Sequence, residues 1–170
     1  KGLDPWVDVR VRLGHARDNW PPSLGLEIAS PTHAAATGEW VHLHATAVDP
    51  DDESLAYAWT FGDGSFSTNN QPWAVHRWVD PGDYVVRCVV SDMRGGRASA
   101  NIVVRVGQPG GYIVSGLVLD GDANPIEDVR VVSTDPDQAS VVGYTDSDGA
   151  FVLTGVSDDV SLEAAKYGYR

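Results

Sequence analysis

Residues 40–49, WVHLHATAVD, alternate with a period of two: Val41, Leu43, Ala45 and Ala47 fall on one side, Trp40, His42, His44 and Thr46 on the other. Only an extended strand puts every second side chain on a common face, so the segment predicts a strand with one core face and one outward face. The alternation recurs in LGLEIA (24–29) and LAYAWTF (55–61), and YVVRCVVSD (84–92) and ASANIVVRV (98–106) are two more apolar strands. No 3.6-residue period is sustained between Leu24 and Val106. Short apolar runs joined by Gly, Pro, Asn and Asp turns predict an antiparallel β-sandwich.

GQPGG (107–111) has the composition of a linker. Beyond it, YIVSGLVLD, DVRVVSTD, SVVGYT, AFVLTGV and VSLEAAKYGY follow one another at roughly ten residues per strand and turn, which predicts a second, smaller sandwich. The expected fold class is all-β, with two tandem antiparallel sandwiches over 19–106 and 112–170. Upstream, WVDVRVRL (6–13) also alternates, so residues 1–18 are expected to be a strand and linker ending an upstream region. With no initiator Met and no signal-peptide pattern at Lys1, the chain reads as a piece of a longer polypeptide.

Charge narrows the function classes. The net charge is −12, which argues against a nucleic-acid backbone as partner. It is unevenly spread: residues 1–108 carry 13 acidic and 9 basic side chains, residues 109–170 carry 11 and 3. No run approaches the roughly 20 apolar residues of a membrane span. Cys88 is the only cysteine and sits among Val85, Val86, Val89 and Val90, the setting of a buried thiol.

YAWTFGDG (57–64) invites a catalytic or phosphate-binding reading. A phosphate cradle needs a helix after the glycines, and SFSTNNQPW follows instead. Catalysis needs a partner acid or base beside Asp63, and the sequence identifies none. The remaining reading is a corner: Gly62 and Gly64 take positive φ, Asp63 bonds its own backbone, and Trp59 belongs to the core.

Taken in order, NWPP, AVDPDD, YAWTFGDG, VHRWVDPGDYVV and VSDMRG resemble the PKD family over most of residues 19–106. His76, Trp78, Pro81, Gly82 and Tyr84 occupy its later motif positions. GLVLDGDANPIEDVRV, YTDSDGAFVLTGV and AAKYGY resemble the carboxypeptidase regulatory-like family, a transthyretin-like sandwich, over about 112–170, with the last strand of that family missing. Lys166 lies too late in the chain for the isopeptide staple of related folds.

The PKD resemblance implies a non-catalytic accessory module of a larger extracellular or cell-surface protein, such as a secreted peptidase. It also implies a calcium site built from Asn19, Asp49, Asp51 and Asp92; the alternative is a solvated acidic turn, and Asp52 stands where the family has Gly. Of the six tryptophans, Trp59 and Trp78 are assigned to the core. Trp40 and Trp73 are candidate ligand-binding residues, with outward His42 and His44, for polysaccharide or a collagen-like protein matrix. The alternative for these rings is packing at joints. A further alternative is a fibre subunit joined through the incomplete C-terminal sandwich. No catalytic constellation emerges.

Overall fold

The computed structural model describes residues 19–31, 34–51, 54–107, 111–138, 141–157 and 159–166. The strand expected at 6–13 lies outside them, as do 108–110 of the linker. The first seven strands are β1 (Ser23–Ser30), β2 (Val41–Val48), β3 (Ala56–Thr60), β4 (Phe66–Ser67), β5 (Trp73–His76), β6 (Gly82–Ser91) and β7 (Arg97–Val106). They form two antiparallel sheets, ordered β1-β2-β5 and β4-β3-β6-β7. The period of two sends Val41, Leu43 and Ala45 from β2 and Val86, Cys88 and Val90 from β6 into the space between the sheets. Trp59 and Trp78 complete that core. Their indole N–H groups donate to Gln71 O and Phe61 O, each at 3.0 Å, so neither ring buries an unmet donor.

The remaining strands are β8 (Tyr112–Leu117), β9 (Arg130–Ser133), β10 (Val142–Tyr144), β11 (Ala150–Val156) and β12 (Leu162–Ala165). They form the sheets β10-β9-β12 and β11-β8, which enclose a separate core of Val129, Val131, Val141, Phe151, Leu153 and Val156. A single 3-10 turn, Pro136–Gln138, interrupts the strands among the described residues. The all-β class and the two sandwiches are as the alternation predicts.

Aspartates make many of the corners. Asp49, Asp63, Asp92, Asp120 and Asp146 each accept a hydrogen bond from the backbone N–H two residues on, at 2.7–3.1 Å. That is Asx-turn chemistry.

The C-terminal sandwich docks on the outward face of β6 and β7. Arg87 of β6 bonds Thr145 O at 2.9 Å, and Asn101 of β7 bonds Tyr144 O at 3.3 Å.

Candidate functional site

The FGDG corner is held by a box of rings. His76 stacks on Phe61 with centroids 4.2 Å apart and meets Trp78 edge-on at 4.7 Å; Trp78 stacks in turn on Tyr84 at 5.2 Å. Gly62 has φ of 79°, and a Cβ there would stand 2.8 Å from Val85 O and 2.9 Å from Val85 N. Only glycine therefore lets the corner close against β6.

The corner also gathers a set of groups that sequence reasoning missed. His76 Nε2 lies 2.8 Å from Asp63 Oδ2 and 3.3 Å from Ser65 Oγ, and the Ser65 hydroxyl donates to Asp63 Oδ1 at 2.5 Å. The residue types are those of a hydrolytic triad, but the wiring is not. A triad places the acid on one ring nitrogen and the nucleophile on the other, whereas here both partners meet Nε2. The serine proton is given to the carboxylate, so no base activates the hydroxyl. Burial raises the Asp63 carboxyl, yet the Ser65 hydroxyl, the His76 ring and the Ser65 N–H outweigh it and hold the group at about 2. The cluster is an anionic brace for the turn.

The four residues named for calcium lie where the lead-in segment meets the loop after β2 and the turn after β6. Asn19 Nδ2 donates to Asp92 Oδ2 at 2.7 Å, and Trp20 N donates to Asp51 Oδ2 at 2.8 Å. Asp51 N donates to Asp49 Oδ1 at 2.8 Å, and Asp49 and Asp92 are both buried. Asp92 Oδ1 accepts from Arg94 N at 2.7 Å and Gly96 N at 3.0 Å. Burial would raise its carboxyl, but the Arg94 N–H, the Asn19 amide and the Gly96 N–H hold it below the usual carboxylate range. A Cβ at Gly96 would overlap Asp92 Oδ2, so glycine leaves the room in which Asn19 and Asp92 meet. Among the described residues, no three His, Cys, Asp or Glu side chains stand grouped as a metal-holding set.

The third location is the outward face of β1-β2-β5. His42 and His44 of β2 lie opposite Val75 and Trp73 of β5, and His44 lies opposite Glu27 of β1. His44 Nδ1 is 3.3 Å from Glu27 Oε1, a cross-strand partner that proximity in sequence could not reveal. Trp73 is 52% exposed and Trp40, just before β2, 55%. The Arg77 guanidinium covers the Trp40 ring at 4.9 Å, a cation–π contact that fixes its orientation. Trp40 is four positions from the residue facing Trp73, so the rings stand roughly 13 Å apart along the strands. Beside Trp73, Glu27, Ala29, His42, His44 and Val75 line an open depression of about 450 Å³, to which Trp40 does not contribute. The two candidate tryptophans and the two histidines thus share one face, turned away from the C-terminal sandwich.

The chain is similar over part of its length to several known proteins. A microbial collagenase from Vibrio alginolyticus is 28% identical to the chain over 131 residues, covering 72% of this chain and 16% of that protein. The chain therefore spans only a small part of the length of that relative. The crystal structure of the PKD1 domain of Vibrio anguillarum Epp is 25% identical, with a TM-score of 0.44, covering 54% of this chain and 100% of that one. The PKD domain of an M14-like peptidase from a Thermoplasmatales archaeon is 18% identical, with a TM-score of 0.43, covering 53% and 96%. The PKD domain family model matches residues 25–106, which contain the FGDG corner, Trp40 and Trp73. The Asp63–His76–Ser65 cluster also lies within that segment. Residues 25–106 of this chain are a PKD domain.

Proposed function

We propose that the chain is an accessory module of a larger secreted or cell-surface hydrolase of the peptidase kind, and that its β1-β2-β5 face engages a fibrous protein matrix. The observation that carries this reading is the placement of Trp40 and Trp73, both more than half exposed, on one face with His42 and His44. Large rings on a rigid sheet supply contact area at little conformational cost. The collagenase relative supports a fibrous protein as partner, and its 131 aligned residues extend past the PKD segment. Residues 112–170 are read as a carboxypeptidase regulatory-like sandwich on the motifs given above.

Retention of the full chain on insoluble collagen, lost in Trp40→Ala and in Trp73→Ala, is the expected result. Retention on insoluble polysaccharide alone would move the reading to a carbohydrate-binding module. No retention on either matrix would overturn it.

A second reading attaches to the lead-in junction, because Asn19 and Trp20 reach Asp92 and Asp51. Asn19, Asp49, Asp51 and Asp92, whose carboxylates do not stand grouped as a metal-holding set, would have to draw together around a calcium ion there, an oxygen donor set suited to a hard cation. Asn19 would present its carbonyl oxygen in place of the amide it now gives to Asp92. The ion would supply positive charge that stiffens the junction. Thermal unfolding in EDTA and in millimolar calcium tests this: a rise of several degrees that vanishes in Asp49→Ala is expected. Superimposed curves would leave the carboxylates as turn caps.

A further inference from the structure

We infer that Arg87 latches the two sandwiches into one body, and that the latch is electrostatic and opens without unfolding either sandwich. Arg87 stands in the middle of β6 on its outward face. Its guanidinium donates to Thr145 O at 2.9 Å and to Asp128 Oδ1 at 2.8 Å across the junction, and to Ser99 Oγ of β7 at 3.0 Å. The Glu127 carboxylate lies 3.7 Å away, and the Arg87 side chain is only 16% exposed. Arg97 supports it from the rim, 3.3 Å from Asp128 and 3.5 Å from Glu127. Ser99 closes the arrangement: its hydroxyl donates to Glu127 Oε1 at 2.6 Å, and its carbonyl accepts from Ser147 Oγ at 2.8 Å. Asp128 has φ of 57°, a left-handed conformation that Asp tolerates better than most residues, at the position where its carboxylate meets Arg87.

What is missing from this junction matters as much. The apolar clusters of the two sandwiches are separate, and a cavity of about 300 Å³ lies between Thr60, Val85 and Asn101 on one side and Tyr144, Val152 and Thr154 on the other. Domain interfaces that are small and polar behave like transient protein–protein contacts; large apolar ones do not. The two cores are not continuous across the junction, so charge-assisted hydrogen bonds fix the orientation over a surface to which the half-buried Val85, Val89 and Val103 also contribute. Rim pairs such as Arg97–Asp128 are screened by salt, whereas the more buried Arg87 pair is screened less. The latch goes beyond the matrix-binding reading, since it depends on no ligand. Its consequence is that the Trp40–Trp73 face is held in a fixed direction, pointing away from the C-terminal sandwich.

Residual dipolar couplings on the full chain test the latch directly. At low salt a single alignment tensor should fit both sandwiches of the wild-type chain. In Arg87→Ala the common fit should be lost, while each sandwich still fits a tensor of its own, which shows that both remain folded. Arg87→Lys, which keeps the charge but cannot bridge Thr145, Asp128 and Ser99 together, should lose it in part. Raising salt to molar levels should move the wild-type chain toward the Arg87→Ala behaviour. Two tensors in the wild-type chain at low salt, or one tensor retained in Arg87→Ala, would overturn the inference. Couplings unmoved by molar salt would overturn the part given to the exposed Arg97 rim pairs. Should Arg87→Ala fail to fold, Asp128→Asn removes the same pair from the other side and is read in the same way.

Discussion

Replacing Asp63 by Asn should destabilise the PKD domain at neutral pH and lose that effect in acid. Against the upward pull of burial, the Ser65 and His76 bonds hold the Asp63 carboxyl at about 2, where an ordinary one sits at 3.8. At about 1.4 kcal/mol per tenfold change in proton affinity, that difference sets a ceiling of about 2.5 kcal/mol. The carboxylate keeps contact with water, so screening reduces the expected contribution to about 1 kcal/mol. Because the folded value lies below the unfolded one, the stabilisation is complete above about pH 4 and disappears as the pH falls toward about 2. Urea unfolding of the wild-type chain and Asp63→Asn should give curves separated by about 1 kcal/mol at pH 7, a difference of about 2–4 °C on heating. The separation should narrow through about pH 3, where the unfolded chain's carboxyl takes up its proton while the folded one still holds its charge. If it is the same at pH 3 and at pH 7, the bonds to Ser65 and His76 are not what holds the carboxylate down. The account of the cluster as an anionic brace would then fail.

Three further perturbations probe the same domain. Gly62→Ala combines a positive φ with an overlap on the Val85 backbone, and should lower stability by about 3 kcal/mol or more, read as the largest fall in Tm among single substitutions at this corner. Trp78→Phe keeps most of the ring but leaves the buried Phe61 carbonyl without its indole donor; urea unfolding should show a loss of about 1–3 kcal/mol. Burial pushes the Cys88 thiol up to about 12, so a thiol-disulfide reagent should leave it untouched in the native chain and titrate it fully in denaturant. Prompt labelling under native conditions would contradict the packing of β6 against β2.

The sequence displays its folding rules unevenly, and the difference follows from the range of the interactions. Alternation is local, so the core face of β2 can be assigned from the order of residues alone: Val41, Leu43 and Ala45 are buried, while His42 and His44 face outward. Turn chemistry is local too, so the aspartates can be read as Asx turns. The Asp63–His76 pair joins residues 13 positions apart through a corner whose path must first be known. Glu27 meets His44 only through the register of β1 on β2. Neither contact leaves a pattern in a single sequence.

Docking of the second sandwich is an intermediate case, because it did leave a trace. A strand with one face in water alternates apolar with polar residues, as β2 does; a strand covered on both faces reads as a nearly continuous apolar run. YVVRCVV in β6 and NIVVRV in β7 are runs of that second kind. Their outward Val85, Val89 and Val103 are only partly exposed. The one charge within the β6 run, Arg87, lies where the covering surface offers Thr145 O and Asp128. A lone arginine in a two-sided apolar strand thus signals a partner that supplies acceptors. Here the partner is the next sandwich of the same chain, and a linker as short as GQPGG is enough because the contact, not the linker, sets the geometry.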